Sequence, residues 1–216
     1  MAALPDVVLM ADDAVTSVPA ADNGEALLKS PIPVTDDKAD ATGAASLVRE
    51  SVARRLLVAA AALPGGISLA LNEGYRRPAI QRRYFESYAA TLADLDPSLG
   101  DDEVHRLASR YVSPPDLAPH TTGAAVDVLL LDEDGDPVDV GCPINASPEE
   151  SEGRCYTDHP AVTGAPRDHR RALVRAMTAA GFVNYPTEWW HWSYGDRYWA
   201  MHTGAPAAIY GVVERG

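Results

Sequence analysis

The chain has 216 residues, enough for one domain with a sizeable core that needs no disulfide or metal staple. Its apolar content of 46% and charged content of 23% are those of a globular protein, and a net charge of −13 argues against nucleic-acid backbones and anionic membranes as partners. The longest apolar stretches, 56–63 and 126–131, fall short of the roughly 20 residues of a membrane span. The N-terminus meets Asp6, Asp12 and Asp13 where an export signal would be apolar, so the sequence reads as cytoplasmic, with a small neutral or zwitterionic ligand. Cys142 and Cys155, the two cysteines, form no zinc cluster and read as free thiols.

Residues 1–45, rich in Ala, Asp and Pro, read as an irregular arm packed over a domain at 46–216. Helical periodicity runs from Ser46 to Leu63 and ends at Pro64-Gly65-Gly66. "ISLALNEGYR" (67–76) reads as a strand entering a loop. Pro78 opens a helix to Leu95 with Ile80, Tyr84, Tyr88 and Leu92 on one stripe, and "DDEVHRLASRYV" is a shorter helix with acids in its first turn. "SPPDLAPHTTG" is an irregular loop. "AAVDVLLL" and "PVDVG" flank the turn 132–135 as a hairpin, and 167–182 is a helix ending at Gly181. "EWWHWSY" and "AIYGVV" read as short strands around a turn at 195–204. The mixture, without βαβ alternation, predicts a single compact α+β domain, its mostly antiparallel sheet flanked by helices.

Two segments can carry chemistry. In "HTTGAAVDV", His120 and Asp127 are seven apart; on one helix they would lie about 10 Å from each other, whereas a turn at Gly123 into a strand brings them together. In "YPTEWWHWSYGD", Glu188 and His191 are three apart, so a straight strand would point them to opposite faces. A bend after Pro186-Thr187 is needed if they share a site. Two histidines and one carboxylate would give zinc three protein ligands and an open position, and a nearby unligated glutamate could take a proton from water.

"HTTGAAVD" fits H-x-x-G-x-A-x-D, "EWWH" fits a paired second motif and "EGYR" a third. Together, in this order, they resemble the zinc D-alanyl-D-alanine dipeptidases of the VanX type and the related D,D-carboxypeptidases, over roughly residues 14–213. The resemblance implies one Zn2+ per chain bound by His120, Asp127 and His191. It also implies Glu188 as general acid/base, Arg76 as the cation that polarises the scissile carbonyl, and a short D-configured peptide as substrate. Arg77 reads as a surface charge.

Two positions depart from the family's pattern: Ala118 stands where a serine is usual, and Asn145 where an aspartate helps hold the substrate's ammonium. An amide holds an ammonium less strongly than a carboxylate does. The alternatives are a D,D-carboxypeptidase trimming a longer peptide and a non-catalytic peptide-binding protein on the same scaffold. His105, His159 and His169 read as surface residues, His202 as either a surface residue or a partner behind the metal ligands, and the tryptophans as core and pocket wall.

Overall fold

The computed structural model describes residues 7–35, 42–109 and 111–214; parts of the expected arm, 1–6 and 36–41, lie outside them. The elements run α1 (Asp13–Thr16), β1 (Leu27–Lys29), β2 (Leu47–Arg49), α2 (Glu50–Ala61), β3 (Ser68–Glu73), α3 (Pro78–Leu95) and α4 (Asp101–Ala108). They continue with β4 (Ala125–Leu131), α5 (Gly164–Ala179), β5 (Val183–Asn184), β6 (His191–Ser193) and α6 (Arg197–Thr203). The fold is α+β. A four-stranded antiparallel sheet of order β3-β4-β6-β5 forms its centre, and β1 and β2 pair as a separate antiparallel ribbon.

The main core joins Val52 and Leu56 of α2, Leu69 and Leu71 of β3, Val126, Val128 and Leu130 of β4, Leu173 and Met177 of α5, and Trp190 and Trp192. Consecutive residues of β3 and β4 are buried, so both faces of these strands are covered. That is why "AVDVLLL" reads as a continuous apolar run rather than an alternation.

Several local expectations shift. The periodic segment at 46–63 begins as strand β2, and its helix starts only at Glu50. "PVDVG" forms no named strand; it turns back antiparallel on the end of β4, beyond the reach of β6, through one bridge from Pro137 to Leu131 and the Val138 N–H to the Leu130 carbonyl at 2.9 Å. The expected turn at 195–204 is mostly helix α6: Asp196 Oδ1 accepts from the Trp199 N–H at 2.9 Å, an N-cap, and Gly204 closes the helix in the left-handed conformation. "AIYGVV" is irregular, with one bridge between Ala208 and Ala20. On α3 the fully buried residues are Gln81 and Phe85, whereas the expected inward residues Tyr84 and Tyr88 line a cleft.

Buried Arg49 ties the chain's distant parts together. It donates to the carbonyls of Thr122 (2.6 Å), Glu25 (2.6 Å) and Gly211 (3.1 Å), and pairs with Asp22 at 3.0 Å. This fastens segments near both termini around the turn that carries His120.

Candidate metal centre and catalytic cleft

His120 sits on a single 3-10 turn, Pro119–Thr122, that opens directly into β4. The hydroxyls of Thr121 and Thr122 donate back to the carbonyls of Ala118 and Pro119, each at 2.6 Å, so this buried turn satisfies its own polar groups. Gly123 then takes φ 69°, and a β-carbon there would come within 2.3 Å of Leu27 Cδ2. Only glycine reverses the chain here without strain. The imidazole is fixed by its Nδ1, which donates to the Gly74 carbonyl at 2.8 Å; a carbonyl can only accept, so Nε2 is the atom left with a lone pair.

Gly74 is demanded by space. A β-carbon on it would lie 2.3 Å from the Leu47 carbonyl oxygen and 2.7 Å from Val48 Cγ1. Gly74→Ala is therefore expected to destabilise the fold by about 3 kcal/mol and to displace the carbonyl that orients His120. Thermal melting and zinc affinity measured on the same protein check both effects.

The sheet register sets the remaining groups in one row. Glu73 pairs with Asp127 across β3 and β4, next to a bulge between Leu71 and Glu73, and Asp127 pairs with His191 across β4 and β6. Strand β6 starts only at His191, so the segment before it is free to bend. Glu188 N–H donates to the Tyr185 carbonyl at 2.9 Å and His191 N–H to the Glu188 carbonyl at 3.2 Å, closing two successive turns. Trp189 and Trp190 anchor the bend; both are buried, their rings 5.5 Å apart edge to face. The side-chain amide of Asn184 bonds the carbonyls of Glu188 (3.1 Å) and His191 (3.0 Å) together. Asn184 is thus a positioning residue that the sequence reading overlooked; an Asn six to eight residues before a motif histidine carries no distinctive pattern.

His120 Nε2, His191 Nδ1 and Asp127 Oδ1 converge, with separations of 3.1 Å between the two nitrogens, 3.1 Å from His191 to Asp127 and 3.3 Å from His120 to Asp127. Donors bound to a tetrahedral ion at about 2.0–2.2 Å lie roughly 3.3–3.6 Å apart, so this triangle is close to the size needed for one metal ion. All three residues are buried. Glu188 Oε2 lies 3.8 Å from His191 Nδ1, beside the triangle. Burial by itself would raise the Asp127 pKa, but the adjacent His120 and His191 pull it far below the usual carboxylate range. For His191, burial wins over the hydrogen bond to Asp127 and lowers the pKa, favouring the neutral ring that a metal ligand requires.

Arg76 enters the same cleft from the loop after β3. Its Nε and Nη2 donate to the two oxygens of Glu73 at 2.8 and 2.6 Å, and its Nη1 to Gln81 Oε1 at 2.8 Å. Burial would raise the Glu73 pKa, yet the Arg76 pair lowers it. A lowered folded-state pKa stabilises above the unfolded value, near 4.5, and that contribution fades as pH falls through the folded value. Glu73→Gln is accordingly expected to cost about 3 kcal/mol at pH 7, with a smaller difference from wild type below pH 4; melting curves between pH 3 and 7 measure this.

All five residues singled out in the sequence, Arg76, His120, Asp127, Glu188 and His191, line one cavity of about 400 Å³. Ala118 and Asn145 line it too; Asn145 adopts φ 62°, and its carbonyl accepts from the Tyr111 hydroxyl. Arg77 caps the start of α3. His105 packs on Phe85 and His202 on Tyr198; both are exposed, and the half-buried His159 and His169 likewise lie outside the triangle.

The sequence profile of the D-ala-D-ala dipeptidase family matches residues 33–205. A D-alanyl-D-alanine dipeptidase of Synechocystis sp. is 38% identical over 44% of this chain and 44% of its own. One from Escherichia coli is 39% identical over 33% of this chain and 35% of its own. The chain thus spans less than half the length of the curated relatives it matches. Among solved structures, an LD-carboxypeptidase, LdcB, aligns with TM-score 0.51 at 18% identity, covering 85% of this chain and 75% of that one. VanYB, solved in complex with D-alanine-D-alanine, aligns with TM-score 0.50 at 17% identity over 87% and 88%. These two likenesses concern the fold alone. With the profile spanning most of its length, the chain belongs to the D-ala-D-ala dipeptidase family.

Proposed function

We propose that this protein is a zinc-dependent peptidase that hydrolyses D-alanyl-D-alanine or a similar short D-configured peptide. The observation that carries the reading is the buried triangle of His120 Nε2, Asp127 Oδ1 and His191 Nδ1, with the Glu188 carboxylate 3.8 Å from His191. These three residues would hold one zinc ion, which when bound supplies Lewis-acid polarisation and a water acidified to near neutrality. Glu188 takes the proton of the attacking water and passes it to the leaving amine. Arg76 faces the scissile carbonyl as negative charge grows on its oxygen. Three of its N–H groups are held by Glu73 and Gln81, so the guanidinium is aimed before substrate arrives. The attacking group is water, so the scheme contains no covalent acyl-enzyme.

A second reading, trimming of longer N-blocked peptides, is favoured by Asn145. Among the described residues, the carboxylates lining the cavity are Asp127 and Glu188, both assigned to the reaction, and Asn145 adds no charge for a free ammonium. The partner in either case is a small peptide. We place the protein in the cytoplasm, where the buried free thiols of Cys142 and Cys155 would stay reduced. Among the described residues, no helix is long and apolar enough to cross a membrane.

The test is a hydrolysis screen of zinc-restored protein against D,D-, L,D- and L,L-dipeptides beside N-acetylated D-alanyl-D-alanine. Cleavage of D,D-dipeptides is expected. Preference for the acetylated peptide would select the trimming reading, and cleavage of L,L-dipeptides alone would contradict both.

A further inference from the structure

The far side of His191 carries a feature that the reaction does not use. His191 Nε2, Ser193 Oγ and Asp196 Oδ2 are all buried, and none meets a partner at full hydrogen-bond geometry. Ser193 is fully buried and Asp196 is 1% exposed. His191 and Ser193 are two apart on β6, so they share a strand face. Asp196 follows at the turn into α6, where its other oxygen, Oδ1, is occupied by the Trp199 N–H. Burial raises the Asp196 pKa, and the Ser193 hydroxyl beside the carboxylate opposes that rise most, ahead of the Trp199 N–H, His191 and His120.

The three atoms are complementary: a ring N–H can only donate, a hydroxyl both accepts and donates, and a carboxylate only accepts. Buried polar atoms without well-formed hydrogen bonds are costly, so three of them within residues 191–196, with matching roles, call for a function. The chemistry of the metal triangle supplies one. For His191 Nδ1 to offer its lone pair beside His120 and Asp127, the ring's proton must reside on Nε2. Asp127, 3.1 Å from Nδ1, attracts a proton to the wrong nitrogen whenever the ion is absent.

We propose that Ser193 and Asp196 form a polar chain to His191 Nε2 that holds the ring in its metal-binding tautomer, making both of them positioning residues for the metal centre. The inference rests on the zinc reading above. Asp196 would thereby serve two purposes, with Oδ1 starting helix α6 and Oδ2 anchoring the chain to the ligand.

The test measures zinc affinity of metal-stripped protein by chelator competition, alongside thermal melting without metal. Ser193→Ala leaves the helix cap untouched, and Asp196→Asn preserves it, since an asparagine oxygen still accepts from Trp199. Asp196→Asn also turns an acceptor into a donor at the end of the chain. Both variants are expected to bind zinc about ten- to a hundredfold more weakly than wild type, with metal-free melting close to wild type. Wild-type zinc affinity in both variants would overturn the proposal. So would a loss confined to Asp196→Asn and accompanied by lowered metal-free melting, because the carboxylate would then act only through the helix. If wild-type protein itself bound no zinc, the metal reading would fail first.

Discussion

Glu188→Gln is expected to lower kcat/KM for the cleaved D,D-peptide by about a hundred- to ten-thousandfold, the range that a positioned general acid/base contributes. Glutamine keeps the shape and burial of the side chain but can neither take a proton from water nor pass one to the leaving amine. The backbone of residue 188 is held independently of its carboxylate, through Tyr185 and Asn184, so the bend should survive. Zinc content should survive as well, because the carboxylate stands beside the triangle of donors rather than in it. A variant that retains zinc and loses turnover therefore separates proton transfer from metal binding. A variant that keeps wild-type turnover would remove Glu188 from the mechanism.

Asp127→Asn should act on the other half of the site. The carboxylate lies within 3.1 and 3.3 Å of the two histidine nitrogens and supplies the only negative charge among the three donors. Its neutralisation is expected to weaken zinc binding by about a thousandfold or more, with activity falling in parallel, since metal sites favour deprotonated ligands. Metal-free folding should weaken as well. The neighbouring histidines hold the Asp127 pKa far below the usual carboxylate range against the opposing effect of burial, so the ionised carboxylate stabilises the fold at pH 7, and removing one partner of a buried charged cluster costs about 3 kcal/mol. Lowered metal-free melting, with zinc binding lost, is the expected pair of results. Wild-type zinc binding in the variant would remove Asp127 from the metal site.

Much of the site was legible in the chain. The seven-residue gap from His120 to Asp127 and the three-residue gap from Glu188 to His191 each exclude one regular geometry, and the structure uses the irregular solutions, a turn at Gly123 and a bend at 186–190. The groups behind the site were less visible. Glu73, which aims Arg76, looked like an ordinary strand residue, because only the register with β4 brings it to the row of Asp127 and His191. Asn184 and Ser193 act through hydrogen bonding and burial that no spacing rule encodes. In the fold, α3 misled for a physical reason: Tyr84 and Tyr88 follow a helical stripe but face the cleft, where aromatic rings with hydroxyl tips suit a ligand as well as a core. The segment 195–204 is helix rather than turn because the Asp196 side chain caps its start and Gly204 closes its end.

The most direct test of the metal centre is zinc stoichiometry by equilibrium dialysis and elemental analysis, on wild type and on His120→Ala and His191→Ala. One zinc per wild-type chain, with little or none in either variant, is the predicted result. Wild-type protein that retains no zinc, or variants that retain as much as wild type, would contradict the account.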